Sequence, residues 1–407
     1  MTGRRLRIGL LTPVWPGEGT ANGIATAVRH LHAGLVAAGH VPVVLPFRDE
    51  SGGAAGVVPP PPARPATLAE RVRMRLGQSW LQHRIIADRV ARAAREAVRR
   101  HGIEVLVMEE TWGWAAEVQR ALPIPVVVTL HGPWFLHKAL QSTPGAARMD
   151  AVREARERAA ILSCAGVTAP SRAVLTATQA QYGPFSVPTT VIPNPIPLRE
   201  PVDFAALAPE ARRSLLFVGR FDPHKGGDTV LEGFARLIRG GGEARLTFVG
   251  PDRGIPLPGG GVRHVAEALA ALPEDVRTRV DYLGQRSAAE VTVLRRRHGI
   301  ALVASRYETF GNVAMEAMAV GAAVVATRAG GLIEMLRHGE TGLLVPPGDS
   351  VALANACARL LGEPGLAPRL GAAARKDVEK RLSPEVVGRV LAEFLVDLTF
   401  AHVGRRA

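Results

Sequence analysis

Several residues and patterns that mark common protein classes are rare or missing in this chain of 407 residues. Only two cysteines occur, Cys164 and Cys357, and each lies in an Ala-rich stretch that we expect to be buried, so a disulfide framework is not indicated. No run of 18 apolar residues is present, which argues against a membrane-spanning helix. The short apolar stretch at residues 8–14 runs into Pro16, so we interpret it as a first strand and not as a signal peptide. A cytoplasmic protein is therefore expected.

Short motifs that carry particular chemistries are also missing. No Asp-x-Asp occurs, which argues against a metal-clamped diphosphate of that type, and no Cys/His group has zinc spacing. The chain has no G-x-x-x-x-G-K-[ST], and no G-x-G-x-x-G follows the first apolar run. The sequence thus argues against an ATPase, a dehydrogenase and a metal site, and we expect neither a metal nor a cofactor.

The charge balance is strongly basic, with a net charge of +13. Two interpretations stay open: Arg-rich usage that reflects codon bias, or an anionic partner such as phosphates or acidic lipid head groups. A nucleic-acid-binding protein is a further alternative. The lack of a known binding motif and the scattered distribution of the charge argue against it.

Short apolar runs alternate with amphipathic stretches along the whole chain, which predicts α/β domains with doubly wound parallel sheets. Residues 193–197, Pro-Asn-Pro-Ile-Pro, cannot form regular structure, because each proline removes a donor and restricts the residue before it. The pattern restarts at 214–218. We predict two Rossmann-like domains that face each other across a cleft: residues 1–195, together with a crossing-back helix in 385–407, and residues 196–384.

A loop rich in cations and glycines follows the restarting strand. Residues 219–228 read Gly-Arg-Phe-Asp-Pro-His-Lys-Gly-Gly-Asp, and Asp228 is the predicted N-cap of the next helix. Glycines let a backbone approach a ligand, a helix N-terminus favours anions, and Arg220 and Lys225 would neutralise charge. The loop is a candidate phosphate cradle, although cations are also common in ordinary surface loops.

A second candidate segment, residues 305–319, also follows an apolar strand. Gly311 relaxes the turn where a helix begins, and backbone amides at such a start suit a diphosphate. Glu316 lies about one helical turn further on, on the face that carries Asn312, and could accept hydrogen bonds from ribose hydroxyls. Glu308, in the turn before the helix, could accept from sugar hydroxyls. Because this helix is apolar nearly all round, Glu316 should have a partner.

Two weaker candidates lie in the first half. His131 follows the strand that ends at Thr129-Leu130 and could orient a sugar or an acceptor, although a lone histidine is more often structural. Gly23 follows Asn22 and opens the first helix, where a backbone that comes close to a ligand needs glycine.

Together these segments resemble the retaining glycosyltransferases of family 4, which have the two-domain GT-B fold, and the likeness runs nearly the whole chain. Glu308 and Glu316 have the spacing of that superfamily's E-x7-E motif. The loop at 219–226 is similar to its phosphate-binding loop, residues 282–285 to the segment that holds the base, and residues 330–345 to the end of its donor domain.

The resemblance implies a role for each residue. Arg220 and Lys225 would bind the donor diphosphate and stabilise the departing nucleotide in place of a metal, because cations fixed beforehand lower a barrier at which negative charge develops. Glu316 would hold the ribose, Glu308 would contact sugar hydroxyls, and His131 would lie near the sugar from the other domain. The rest of the donor site would comprise Gly23, Gln285, Phe310, Gly311, Asn312 and Val313.

The resemblance also implies transfer with retention by front-face attack, in which the acceptor loses its proton to the leaving phosphate. No side-chain nucleophile is then required, so the catalytic set of His131, Glu308, Arg220 and Lys225 performs no covalent step. A UDP-sugar is the expected donor, and a glycan, a lipid-linked sugar or a small metabolite the acceptor. The first loop departs from the family, which has two or three glycines where this chain has Asn22 and Gly23.

The sequence says less about how the acceptor is bound. Residues 71–100 contain nine Arg, against Asp88 and Glu96, with apolar residues near helical spacing. This pattern is typical of a helix on an anionic membrane surface, or of a core-facing helix with a basic outer face. The aromatic groups at 112–114 and 134–135 suit stacking on sugar rings as well as core packing.

Other activities of the same fold stay open as alternatives. A nucleotide-sugar epimerase would interconvert sugars without an acceptor and would need carboxylates for proton abstraction. A phosphorylase would need a cofactor-binding lysine, which the sequence does not reveal.

Overall fold

The computed structural model describes residues 4–15, 23–49, 57–58, 65–75, 80–142 and 145–404. The chain forms two compact units, one of Met1–Pro195 with Pro384–Ala407 and one of Ile196–Ser383.

The first unit contains a parallel six-stranded sheet with strand order β2-β1-β3-β4-β5-β6. The sheet is covered on both faces, which explains why its strands are continuous apolar runs and not alternating ones. Its elements up to the linker are β1 (Arg7–Trp15), α1 (Gly23–Ala37), β2 (Val41–Asp49), α2 (Leu68–Arg75), α3 (Trp80–His101), β3 (Val105–Glu109), a 3-10 turn (Thr111–Gly113), α4 (Ala115–Ala121), β4 (Val126–Thr129), α5 (Trp134–Gln141), α6 (Ala147–Ser163), β5 (Gly166–Ala169), α7 (Arg172–Tyr182) and β6 (Thr189–Val191).

The second unit repeats this plan with strand order β11-β8-β7-β12-β13-β14, all parallel, and a separate two-residue hairpin of β9 and β10. Its elements are α8 (Pro209–Arg212), β7 (Ser214–Val218), α9 (Gly227–Arg239), β8 (Arg245–Val249), β9 (Ile255–Pro256), β10 (Val262–Arg263), α10 (Val265–Ala270), α11 (Glu274–Arg277), β11 (Val280–Gly284), α12 (Ala288–Arg297), β12 (Ile300–Val303), α13 (Asn312–Ala319), β13 (Ala323–Thr327), α14 (Leu332–Met335), β14 (Leu343–Val345), α15 (Ser350–Gly362) and α16 (Leu366–Leu382).

The last helix, α17 (Pro384–Gly404), belongs to the first unit. It packs beside α1 on one face of the sheet, and α3, α4 and α6 cover the other face. The two helices approach so closely that a Cβ added at Gly34 would lie 1.9 Å from the Pro384 carbonyl oxygen. Glycine is therefore required at this crossing.

The predicted fold class, two α/β domains with parallel sheets, is confirmed. Both cysteines are buried and form no disulfide, and the Ser171 hydroxyl caps α7 by accepting from the Val174 amide. The prediction that Asp228 caps the helix of the cation-rich loop is wrong. That helix, α9, begins at Gly227, and its N-cap is Gly226 in the left-handed region.

The basic segment at 71–100 falls on two described helices, α2 and α3, and residues 76–79 between them lie outside the described residues. Asn22 and most of the Pro-rich stretch at 51–67 also lie outside them. Within the described residues, none of the helices combines the length and apolar character needed to cross a bilayer.

Candidate active site

The two candidate segments of the second unit meet at the point where its strand order reverses. Strand β7 pairs with β8 on one side and with β12 on the other. In open parallel sheets, ligands bind in the crevice outside the carboxyl ends of two such diverging strands. The loop after β7 carries Arg220 and Lys225, and the loop after β12 carries Glu308. The fold thus brings together residues that are about 80 positions apart in sequence.

The first loop is held in shape by Asp222. One of its carboxylate oxygens, Oδ1, accepts from the Lys225 amide at 2.7 Å, and Oδ2 accepts from Arg220 Nε at 2.5 Å. Gly226 has φ 69°, and a Cβ there would lie 2.1 Å from the carbonyl oxygen of Ala304, the residue directly after β12. Only glycine allows this approach, which packs the first loop against the start of the second.

An ion pair between a partly buried lysine and a buried glutamate then joins the two loops. Lys225 Nζ lies 2.5 Å from Glu308 Oε1, which also accepts from the Ser305 hydroxyl at 2.7 Å. Burial alone would raise the pKa of the Glu308 carboxyl, but the Lys225 ammonium and the Ser305 hydroxyl hold it, on balance, below its ordinary value. The pair places a fixed positive charge and a charged acceptor of hydrogen bonds side by side.

Arg306 adds a second connection that the sequence pattern does not reveal. Its guanidinium contacts both carboxylate oxygens of Asp228, at 3.1 and 2.7 Å, and donates to the Pro223 carbonyl at 2.6 Å. This fork-to-fork geometry is specific to arginine. Asp228, predicted as a helix cap, instead holds α9 to the second loop.

The segment after β13 supports Glu308 from behind. The Gly331 amide donates to the Glu308 carbonyl at 2.8 Å, and a Cβ at Gly330 would lie 2.0 Å from that same oxygen. The two glycines of this segment therefore let the chain lie against the Glu308 turn. This contact gives a physical reason for the Gly-Gly pair in a stretch that sequence reasoning matched only by resemblance.

The helix that follows Glu308 presents its start at the same strand end. Gly311 is the N-cap of α13, with φ 93°, as predicted for the turn. The N-terminus of a helix carries partial positive charge, so the backbone of Asn312 and Val313 at this start is suited to an anionic ligand. Phe310 is almost fully buried and fixes the turn in the core, which makes its backbone and not its ring the available part.

Glu316 has the partner that its apolar surroundings required. Arg295 of α12 lies 2.5 Å from Glu316 Oε2, and the Glu316 side chain is 33% exposed. The partner was not identified from sequence, because it lies on another helix, 21 positions away. Gln285, the predicted contact of the base, is exposed and directly follows the edge strand β11. Strand β8 lies between β11 and β7, the strand that precedes Lys225.

The two remaining predicted residues, Gly23 and His131, belong to the first unit. Gly23 is the first residue of α1. His131 directly follows Leu130 at the carboxyl end of β4, and burial lowers the pKa of its imidazole to about 4, so it is neutral at pH 7.

Glu110 holds the loop that carries His131. Its two carboxylate oxygens accept from the His131 amide at 2.9 Å and the Gly132 amide at 2.8 Å. Glu157 of α6 accepts in turn from the Trp134 amide at 2.7 Å and from Arg153 Nε at 2.7 Å. Neither carboxylate was singled out from sequence. The adjacent acids at the end of the buried strand β3, Glu109 and Glu110, were the available signal.

The aromatic residues suggested for sugar stacking are engaged in packing. The Trp112 ring stacks on His83 with centroids 3.4 Å apart, and Trp114 meets Phe47 edge to face at 4.9 Å. Trp134 donates from Nε1 to Asp150. The structure therefore favours the packing interpretation of both aromatic groups.

The basic helix α3 turns its apolar side to the core. Leu81, Ala87, Val90, Ala94 and Ala97 are buried, so that side is not available to insert into lipid. Of the two interpretations of this segment, a core-facing helix with a basic outer face is the one that α3 adopts.

Two family models together cover most of the chain. The model described as Glycosyl transferases group 1 matches residues 199–377, and the model described as Glycosyltransferase Family 4 matches residues 21–200. The first match contains both loops of the second unit, and the second contains Gly23 and His131.

Individual proteins agree with these matches. The D-inositol 3-phosphate glycosyltransferase of Corynebacterium glutamicum (strain R) is 37% identical over 158 residues, which are 38% of this chain and 36% of that relative, so the match spans about a third of its length. A sucrose-phosphate synthase structure from Thermosynechococcus elongatus has a TM-score of 0.75 and 25% identity, over 98% of this chain and 100% of that one. The structure of Anabaena HepE in complex with UDP-glucose has a TM-score of 0.65 and 20% identity, over 97% and 100%, and shares the fold.

Proposed function

Because the chain belongs to the group 1 glycosyltransferases of family 4, we propose that it transfers a hexosyl group, with retention, from a nucleotide-diphosphate sugar to an acceptor hydroxyl. The proposed donor is a UDP-sugar, the nucleotide sugar named in the HepE complex. The two loops after β7 and β12 form its binding site.

The observation that carries this proposal is the Lys225–Glu308 pair at 2.5 Å, at the reversal point of the strand order. A donor of this class has a diphosphate next to a sugar ring. Lys225 and Arg220 offer the positive charge that a diphosphate needs, and the Glu308 carboxylate offers an acceptor for sugar hydroxyls. A cation and a carboxylate that contact each other therefore match a donor in which an anionic diphosphate is joined to a sugar that carries hydroxyls.

The chemistry requires little from the side chains beyond position and charge. When the bond between the anomeric carbon and the phosphate oxygen breaks, negative charge grows on the leaving diphosphate. Cations already fixed at this place stabilise that charge without reorganisation. The leaving phosphate accepts the proton of the acceptor hydroxyl, the same face of the sugar is attacked, and retention follows. Glu308 keeps its charge throughout.

The position of Glu316 suits the ribose. Its Oε2 is occupied by Arg295, and its partial exposure leaves Oε1 available to hydroxyl donors. We also propose that the reaction proceeds without a divalent metal, since Arg220 and Lys225 supply the positive charge. Turnover in excess EDTA should then equal turnover in Mg²⁺.

The direct test is a thermal-shift screen of the full chain against UDP-, GDP- and ADP-sugars, followed by an assay of nucleotide release. A ligand that binds only the folded state raises the unfolding temperature. We expect one donor to stabilise the protein and to be slowly hydrolysed. Lys225→Ala and Glu316→Ala should abolish both effects, whereas Lys376→Ala, at an exposed lysine of α16, should retain them.

Two outcomes would contradict the proposal. Normal donor turnover in Lys225→Ala would show that the assigned site is wrong. A changed sugar that remains attached to its nucleotide, formed without any acceptor, would indicate an epimerase instead of a transferase.

A further inference from the structure

Three consecutive arginines end helix α12, and one of them differs from its neighbours in burial. Arg296 and Arg297 are exposed, whereas Arg295 is only 8% exposed. A guanidinium keeps its charge in a protein, and burial of a charge is costly unless the charge is paired. An inward-facing cation in a run of exposed ones therefore indicates a specific partner.

That partner is Glu316, which lies on α13. Arg295 Nη2 donates to Glu316 Oε2 at 2.5 Å. Within the described part of the chain, the other carboxylate oxygen, Oε1, makes no hydrogen bond. The side chain of Glu316 is 33% exposed, against 9% for that of Arg295. The arginine thus holds one oxygen of the carboxylate from the inside and leaves the other to a ligand.

The end of α12 that carries Arg295 is fixed to the sheet by the next residue but two, His298. Its Nδ1 lies 2.7 Å from the Leu294 carbonyl oxygen, and its Nε2 lies 2.8 Å from the hydroxyl of Thr247 on β8. Burial lowers the pKa of His298, so its imidazole is neutral at pH 7. It therefore donates to the carbonyl from Nδ1 and accepts from the hydroxyl at Nε2. These bonds tie the last turn of α12 to strand β8.

The start of α12 is fixed as well. The Ser287 hydroxyl accepts from the Glu290 amide at 3.2 Å, and the Glu290 carboxylate accepts from the Ser287 amide at 2.8 Å. Such a reciprocal cap holds the first turn of a helix in place. Arg295 is thus mounted on a helix that is anchored at both ends.

A carboxylate held by such an arginine differs from a free one. The terminal bond of a glutamate rotates freely at a half-exposed position, and a ligand that binds there must first order the side chain. Glu316 loses less freedom on binding, because Arg295 already holds Oε2. Its remaining oxygen is then presented to a ligand hydroxyl in one orientation.

We infer that Arg295 is a positioning residue that determines the preference for ribonucleotide donors: it holds Oε2 of Glu316 so that Oε1 accepts from a ribose hydroxyl. The inference rests on the proposed function, in which Glu316 binds the ribose of the donor, and adds the residue on which that binding depends. Because the Arg295 side chain is buried, it acts on the ribose through Glu316 and not by contact.

Matched nucleotides measure this preference. UDP, GDP and ADP are titrated calorimetrically into the full chain, each beside its 2′,3′-dideoxy form. The base and the diphosphate are common to both members of a pair, so the ratio of the two dissociation constants isolates the ribose hydroxyls. We expect the dideoxy form to bind about tenfold more weakly or worse, the effect of losing a hydrogen bond to a charged acceptor. Equal binding of the two forms would overturn the inference.

Variants of the arginines test its source. Arg295→Met removes the charge and keeps an apolar side chain, and we expect the ratio to fall about threefold to tenfold, because the ligand must then order Glu316. Arg295→Lys retains a cation and should keep a larger ratio than Arg295→Met. Arg297→Met removes the same charge at an exposed position of α12 and should keep the ratio of the parent. A parental ratio in Arg295→Met would contradict the positioning role.

A purely structural role of Arg295 gives a different result. Glu316→Ala should make the ribo and dideoxy forms bind about equally, and the double variant Arg295→Met/Glu316→Ala should do the same, because no carboxylate is left to position. The unfolding temperature of each variant is measured without ligand. If Arg295→Met weakens both forms equally, in step with a lower unfolding temperature, Arg295 supports the fold alone and the inference is wrong.

The inference and the proposed function fail in different ways. If none of the three ribonucleotides binds, the proposed donor site is rejected, and the inference with it. If binding depends on Lys225 and Glu316 but the ratio is unchanged in Arg295→Met, the transferase proposal stands and the positioning role alone is rejected.

Discussion

Single side chains of the second unit hold together loops that are far apart in sequence. Arg306 is the clearest case, because its guanidinium reaches Asp228 and the Pro223 carbonyl from 78 and 83 positions away. Lysine has the same charge but presents it as a point, so it cannot occupy both carboxylate oxygens and the carbonyl at once. The geometry of the donor loops depends on this fork.

Replacement of Arg306 by lysine should therefore reduce turnover more than stability. We expect kcat for nucleotide release to fall about tenfold to a hundredfold, since a shift of about 1 Å in a positioning group has effects of that size. Arg297→Lys, at an exposed position of α12, should retain normal kcat. Equal kcat values for the two variants, measured at saturating donor, would show that the clamp does not position the loop.

The buried acids of the first unit predict how stability changes with pH. The pKa values of Glu109 and Glu110 are raised by burial to about 8 and about 7, so the folded state retains protons that the unfolded state has released. The free energy of unfolding must then fall as pH rises from about 4.5 to about 8. The lowered pKa of His131 acts in the opposite direction, but only between about 4 and 6.5.

Between pH 6.5 and 8, then, only the two acids contribute among these three residues. Each contributes at most about 1.4 kcal/mol per pH unit. Urea unfolding at pH 6.5 and 8 should show the native chain losing on the order of 1–2 kcal/mol across this window, and Glu109→Gln losing clearly less. An equal loss in the variant would mean that Glu109 is already ionised at pH 6.5.

At the scale of elements, the contact between α1 and α17 is made by glycines. A Cβ at Gly34 would lie 1.9 Å from the Pro384 carbonyl oxygen, and one at Gly388 would lie 2.3 Å from the carbonyl carbon of Gly34. Any side chain here must push the two helices apart. Since α17 contributes Val387, Leu391 and Leu395 to the core of the first unit, that separation would loosen the whole face.

Gly34→Ala should accordingly destabilise the protein by about 1–3 kcal/mol in spite of the higher helix propensity of alanine. Gly404→Ala near the end of α17 is the matched control, since a Cβ there meets no atom within 4 Å. It should lie within about 0.5 kcal/mol of the parent. Denaturant midpoints of the two variants measure the difference, and similar midpoints would contradict the close crossing.

The helices and strands also show how much of the fold could be predicted from the sequence. Strand β7 is a continuous apolar run bounded by loop residues, so its position at 214–218 was predicted correctly. Strand β14 and the hairpin of β9 and β10 were not predicted, because two or three residues carry no periodic signal. Helix α9 begins before the predicted cap, because Gly226 adopts a positive φ that its packing against Ala304 requires, and no local pattern shows that contact.

The candidate site, too, could be predicted only in part from the sequence. Parallel topology alone predicts that the loops after β7 and β12 lie at one edge of the sheet, and the structure confirms that they meet. The side-chain pairs were out of reach: Lys225 with Glu308, Arg306 with Asp228 and Glu316 with Arg295 each join residues from different elements. Sequence spacing can assign a residue to a helix, a strand or a loop. Which residues of other elements lie beside it depends on how the strands are ordered in the folded sheet.

At the scale of the whole molecule, the net charge of +13 is the dominant property. On α3 the exposed positions include Arg84, Arg92, Arg95, Arg99 and Arg100, while the apolar side of the helix is buried in the core. Any association with an anionic membrane through this helix must therefore be electrostatic, without insertion of apolar side chains. Electrostatic contacts weaken as salt shortens the Debye length, whereas apolar insertion does not.

We propose on this basis that the chain co-sediments with vesicles that contain phosphatidylserine at low salt and is released as salt approaches about 0.5 M, where the Debye length is only a few ångströms. The double variant Arg84→Glu/Arg92→Glu should lose binding at lower salt than the parent. Arg296→Glu/Arg297→Glu changes the net charge equally but on α12 of the second unit, at exposed positions, and should retain binding. Equal losses in the two double variants would show that net charge and not α3 determines the association. Binding that survives high salt would show that an apolar contact outside α3 takes part, for which α2 offers the exposed side chains of Leu68 and Val72.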